Sequence, residues 1–492
     1  MKKLIILSLL AFATTAVRSA LPQPDLLAQI HFAGADSIAG GKNYSAFTNE
    51  FSSAEAQALR AQTADKLAKF FAGWFAQNSG VSAAGGAAKL RPLLDDLQNQ
   101  EWFLKSQNVS GQAETLLAVK TGGAGAPAWQ SGLKPFFPAA TFETAGGWMV
   151  FRTSGNAPAF SGNIPELDGA WLSLDLNWPA LGKFFPSARD LGLPETKFTI
   201  AATATDLKVD GKFLFPKNIA ATPGPWRVPT NTLHQPFISF TAVRGISAWL
   251  DSQRWAQDYR LNPAPDQMFI WALPQIPFQT FAAIPCADSL HALQQAAAKL
   301  NAVVEAAKTK NEMQFPFALE QTNRQLTVVG LPFIAPYFEA VNSPAGQFLV
   351  AAGFPNTPRS KPLPQDLFTR LAQKNLRYYH WEITAERIPT LLQLSQFALM
   401  VSWHKQLGEN AAALKWLQLI GPKLGNTVTE VFQTAPDEMT FSRKAAGGFT
   451  AFELFALANW LEADNFPGCD LKMPPRVNKF KRQKSSAPAP GQ

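Results

Sequence analysis

His380 and Glu382 come nearest, by type and spacing, to doing chemistry. Two apart in a run where Tyr379, Trp381 and Ile383 alternate with them, they project from one face of a strand, where a carboxylate can orient an imidazole for base catalysis. Their setting points the other way: with the apolar alternates turned inward, the polar phase reads as a solvated sheet face. His31, flanked by Ile30 and Phe32, reads as a surface residue for the same reason. Asp95 and Asp96 are adjacent on a helix and point apart, so they form no carboxylate dyad. Gly40-Gly41-Lys42 has Asp36 where a phosphate loop has its first glycine and Asn43 where it has Ser or Thr. No GxSxG, HExxH or EF-hand pattern occurs. No cofactor is implied, and two cysteines with five histidines match no zinc spacing.

Cys286 and Cys469 carry a second kind of chemistry. In an oxidising compartment they can pair, closing a loop of about 180 residues, which the chain-entropy model values at roughly 5 kcal/mol. The competing reading is two buried thiols. That compartment is expected from the N-terminus: Lys2 and Lys3, the apolar run Leu4 to Phe12 and small residues up to Ala20 have the layout of a secretory signal peptide cleaved after Ser19. The apolar run is far shorter than the ~20 residues that span a bilayer, and no later stretch is long enough, so no transmembrane segment is expected after cleavage.

The net charge of +8 invites a nucleic-acid partner, but its placement argues against one. Of 44 lysines and arginines, three fall in the leader and six after Asp470, leaving 35 against 36 acids in the body. A polyanion-coating protein would carry its bases on a folded face. The tail bases Arg476, Lys479, Lys481, Arg482 and Lys484 are instead candidates for contact with anionic headgroups or wall polymers.

The elements that must position these residues follow from periodicity. Trp171 to Phe185 reads as a strand feeding a helix, and the same grammar returns at Tyr379 to Leu394. Ser52 to Glu55 has capping-box spacing ahead of a long amphipathic helix. Gly80 to Ala88 and Gly122 to Pro138 read as loops, Lys197 to Pro216 as a hairpin turning at Asp210-Gly211, and Thr427 to Leu454 as a final hairpin. Asp288 is expected to cap a helix over Ser289 to Lys308.

The halves also correspond in order. Gly146 to Asn156 matches Gly346 to Asn356, Leu174 to Leu176 matches Trp381 to Ile383, and Asp206 to Val209 matches Glu438 to Phe441. The expected fold is α+β: two tandem divergent repeats, each a mainly antiparallel sheet with helices on one face. The boundaries are a signal peptide over 1–19, a first domain over 20–222, a Pro-rich linker over 223–236, a second domain over 237–470 and a disordered basic tail over 471–492.

The strings Leu26 to Asn43 (LLAQIHFAGADSIAGGKN), Phe47 to Phe70 and Ala87 to Leu97 resemble a group of large, secreted, uncharacterised proteins of verrucomicrobial-type bacteria. That resemblance covers the first hundred residues and implies an exported protein, with no catalytic residues to carry over. The expected role is therefore a non-catalytic one, structural or interactive, in the envelope or exterior of a Gram-negative bacterium, with a protein or envelope component as partner. The alternative is a periplasmic carrier of an apolar ligand such as a lipid, because 38 Phe and 14 Trp against five Tyr suit a pocket lining as well as a core. The third reading is a hydrolase-type enzyme using His380 and Glu382.

Overall fold

Alternating side chains need a partner strand on each side and a cover on each face, and this chain meets both needs with one sheet. The computed structural model describes residues 25–40, 45–79, 82–122, 125–162, 164–185, 192–219, 223–233, 236–252, 261–274, 279–309, 317–331, 334–354, 365–402 and 411–468. Among the described residues the first half supplies β1 (Asp25–Phe32), β2 (Trp102–Val109), β3 (Gln112–Val119), β4 (Thr141–Ala145), β5 (Trp148–Arg152), β6 (Ala170–Leu176), β7 (Glu195–Ala202) and β8 (Leu207–Leu214). The second supplies β9 (Ser239–Arg244), β10 (Gln267–Ala272), β11 (Thr280–Cys286), β12 (Ala318–Gln321), β13 (Gln325–Val329), β14 (Tyr337–Ser343), β15 (Gly346–Ala352), β16 (Leu376–Ile383), β17 (Asn426–Ala435) and β18 (Glu438–Ala445).

Among the described residues every pairing is antiparallel. The ladder runs β4-β5-β3-β2-β1-β6-β7-β8, crosses to β18, and continues β17-β16-β9-β10-β11-β15-β14-β13-β12. The fold class is α+β as expected, but the sheet is a single one of 18 strands rather than one per half. The seam is the β8–β18 ladder, from Leu214 opposite Glu438 to Leu207 opposite Ala445.

Twelve α-helices accompany the sheet among the described residues: α1 (Ala35–Gly40), α2 (Ser45–Phe51), α3 (Ala54–Ser79), α4 (Ala83–Asn99), α5 (Ala126–Leu133), α6 (Trp178–Leu181), α7 (Ser247–Ser252), α8 (Ser289–Thr309), α9 (Gln365–Leu371), α10 (Thr384–Ser402), α11 (Ala412–Ile420) and α12 (Ala451–Glu462). Helices α3, α4 and α5 bury one face of the first half, over Leu104, Leu117, Met149, Phe151 and Leu176. On the same face α8 covers Leu326, Ala340 and Leu349, and α10, α11 and α12 gather around Leu207. Leu59 of α3 joins that last cluster with Leu417 and Leu454, and Lys66 Nζ donates to Leu461 O at 2.6 Å, so the helix layer crosses the seam as the sheet does.

The opposite face is covered mainly by loops. Phe240, Phe269, Trp271, Phe281 and Phe348 pack under Trp226, Val228, Leu233 and Phe237 and under α9. The stretch expected to be a linker is therefore packed in: Leu233 is 0% exposed, and the Arg227 guanidinium donates to the carbonyls of Cys286, Ala345 and Gln347. Between these clusters the face is polar, crossed by the ion pairs Lys197–Asp175, Lys208–Asp210 and Lys212–Glu438.

Several local expectations change. The β7–β8 turn lies at 203–206, where Asp206 N donates to Thr203 Oγ1, and Asp210-Gly211 sit mid-strand. Gly211 is required there by the Phe198 ring, which a Cβ would meet at 2.1 Å. Helix α4 begins at Ala83, inside the expected Gly/Ala loop, because Gly86 lets it close on Ala72 of α3 and on Phe136. Helix α5 occupies part of the expected irregular stretch 122–138, and the final hairpin ends at Ala445, followed by α12. Asp288 does cap α8, accepting from Leu290 N and His291 N.

Candidate functional site

β16 lies between β9 and β17, so a residue on it has two cross-strand neighbours. For His380 these are Thr241 and Thr429; for Glu382 they are Ser239 and Thr427. This face is the helix-covered one, and α12 starts directly over it. His380 is 9% exposed and Glu382 2%, which corrects the expectation of a solvated sheet face.

Burial obliges each polar atom to find a partner. Glu382 Oε1 accepts from Ala451 N at 2.6 Å and from Thr384 Oγ1 at 3.1 Å, placing a carboxylate on the first N–H of α12, where the helix dipole favours it. Thr384 Oγ1 in turn meets Thr427 Oγ1 at 2.7 Å. His380 Nδ1 lies 2.8 Å from Thr241 Oγ1, and its Nε2 lies 3.4 Å from Glu382 Oε2. Nδ1 thus pairs with the Thr241 hydroxyl, and Nε2 faces the carboxylate. Beside them Arg443 grips Glu453 with two bonds of 2.7 and 2.9 Å and donates to Thr429 Oγ1. Thr450 and Glu453 complete the capping box of α12.

The electrostatics follow from this packing. Burial pushes the Glu382 carboxyl up, but the neighbouring His380 imidazole, with Ala451 N and Thr384, more than offsets it and holds it below the usual range. Burial pushes the Tyr378 phenol, next along the same face, up to about 12. Burial lowers Arg387 against the pull of Glu382, and its Nε and Nη1 have no hydrogen-bond partner.

Thr241, His380 and Glu382 thus stand in the order hydroxyl, imidazole, carboxylate, the order of a nucleophile, its base and the group that orients it. Two features oppose acyl transfer. The 3.4 Å step to Glu382 exceeds a hydrogen bond. Thr241 also sits in a strand paired on both sides, so the N–H groups around it belong to ladders and none is left to hold an oxyanion.

The other sequence candidates lie apart from this cluster. His31 is 5% exposed rather than on the surface, held between Pro165 O and Glu101. Asp95 pairs with Arg91, and Asp96 accepts from Trp129 Nε1 at 2.8 Å. Cys286 ends β11, and burial pushes its thiol up; Cys469 lies outside the described residues, as do the signal peptide and the tail bases Arg476, Lys479, Lys481, Arg482 and Lys484. Between α3, α4, α5 and the sheet, Phe71, Phe75, Leu93, Trp129, Phe137 and Phe151 line a cavity of about 30 Å³. A ligand site needs roughly 300 Å³ or more, so this void is a packing gap rather than a lipid chamber. Among the described residues no group of three His, Cys, Asp or Glu side chains converges on a point, and no helix is long and apolar enough to cross a membrane.

Sequence reasoning missed Thr241, Arg443 and Glu453. The TAFE string at Thr450 to Glu453 is a readable capping-box signal and would have marked the start of α12. No family model matches the chain, and no curated protein and no solved structure is detectably similar to it.

Proposed function

We propose that this chain is an exported, non-catalytic scaffold of two divergent α+β repeats, with a structural or interaction role. The observation that carries the reading is how the Thr241, His380 and Glu382 constellation is engaged. Glu382 caps α12, His380 bridges it to Thr241, and both side chains are buried beneath that helix. Such a network fixes the packing of a helix on a sheet and offers a substrate little access.

The repeat reading is supported by the ladder. Read outward from the seam, β8-β7-β6-β1-β2-β3-β5-β4 and β18-β17-β16-β9-β10-β11-β15-β14 are the same path, with β12 and β13 added at the far edge of the second half. Antiparallel pairing of equivalent strands brings a residue opposite its own counterpart. With Asp206 to Val209 matched to Glu438 to Phe441, that residue is Asp210, opposite Ser442, whose Oγ donates to it at 2.9 Å. Export rests on the leader and on the resemblance of the first hundred residues.

A second reading, a hydrolase, is favoured by the Thr241–His380 contact alone. One experiment separates the readings: treatment of the secreted protein with a fluorophosphonate probe, followed by native mass spectrometry and organic extraction. The scaffold reading expects no adduct and no extractable mass. An adduct on Thr241 that disappears in His380→Gln would overturn it in favour of the enzyme, and an extracted apolar molecule would overturn it in favour of a carrier.

A further inference from the structure

The His31 imidazole has a carbonyl on one side and a carboxylate on the other: Nδ1 lies 2.9 Å from Pro165 O, and Nε2 lies 3.0 Å from Glu101 Oε1. A carbonyl only accepts, and an ionised carboxylate only accepts, so this arrangement is satisfied when both ring nitrogens carry protons. Glu101 is ionised here. Burial alone would raise its carboxyl, but the bonds from Lys120 and His31 hold it below the usual range. Other charged groups near the ring are Lys105 on β2 and Asp175 on β6, diagonal to His31 across the ladder, and Glu166, which follows Pro165.

Pro165 belongs to a strap, residues 154–162 and 164–169, on the loop-covered side of the sheet. Its Phe160 and Ile164 pack over Phe103, Leu116, Ala118 and Val150, with Phe160 against Trp148 at 6.4 Å. The bond from His31 ties the strap to β1, and Arg152 ties its near end through Gly155 O and Ala157 O.

We propose that His31 is a proton-controlled latch: doubly protonated, it clamps the strap over this apolar cluster, and losing the Nδ1 proton as pH rises, while Nε2–H stays on the Glu101 carboxylate, opposes a lone pair to Pro165 O and frees the strap. The sign follows from the geometry, closed at acid pH and open at alkaline pH. The test is hydrogen exchange of the 154–162 amides in the full chain between pH 5.5 and 8, corrected for intrinsic rates, with an apolar dye reporting the uncovered cluster. Wild type is expected to lose about tenfold protection across this range, the factor of one charge-assisted hydrogen bond, and to gain dye binding. His31→Gln and Glu101→Gln are each expected to flatten both responses. A wild-type profile without pH dependence overturns the latch, and so does a pH dependence that survives in whichever of the two variants folds.

Discussion

Removing the Glu382 carboxylate would take the acceptor from Ala451 N–H and from the Thr384 hydroxyl in a buried site, and would remove the negative charge that faces His380 and acts on Arg387. Breaking such a buried set costs about 3–5 kcal/mol, and Glu382→Ala is expected to lose that much in urea unfolding at pH 7. The pH dependence has a fixed sign. Because the folded-state carboxyl lies below its unfolded value, its contribution is complete above the unfolded pKa of about 4.3 and is lost as pH falls through the lower folded value. Wild-type stability should therefore fall faster below pH ~4.3 than that of Glu382→Gln, and equal slopes would remove Glu382 from the account of acid stability. The sequence named the pair His380 and Glu382 because their spacing on a strand is local. It misjudged their burial because the cover, α12, begins some seventy residues later.

At the scale of elements, glycine was the unreliable signal. Asp210-Gly211 has the composition of a tight turn, yet it lies mid-β8, where Phe198 from β7 spreads across Gly211 and meets Phe213 and Phe441 edge-on. Gly211→Ala forces that ring and the Lys197 carbonyl to give way, at an expected cost of roughly 1–3 kcal/mol. Adding Phe198→Ala should recover part of this loss, and thermal unfolding of the two single variants and the double variant measures the coupling. Independent, additive losses would mean that the ring is not what demands the glycine. The Gly/Ala stretch before Leu90 misled for a related reason: Gly86 is the close-approach point of α4 on α3, a demand made by the neighbouring helix and invisible in the string itself.

Across the whole molecule, the seam decides how the protein unfolds. β8 and β18 share a full ladder, and on the helix side Gln62 and Lys66 of α3 bind Glu462 and Leu461 at the end of α12. Glu462 also accepts from Ala413 N at the start of α11. Halves joined through both layers should unfold together. Leu417→Ala, at a fully buried position between α3 and α12, is expected to cost about 2–5 kcal/mol and to shift one calorimetric transition for the entire chain. Two transitions, of which only the later-sequence one moves, would mean that the halves are independent domains.

The sequence by itself determined the α+β class, the long helices α3 and α8 with the Asp288 cap, most strands, and the ordered correspondence of short strings between the halves, because periodicity and capping are written within ten or twenty residues. Only the tertiary structure decided that the halves share one sheet, that the proline-bearing stretch at its middle packs inward, and that His31, His380 and Glu382 are buried. Those outcomes depend on which strand edges meet and which helix or strap lies over a face, and such contacts join residues tens to hundreds of positions apart that carry no mark of one another in the chain.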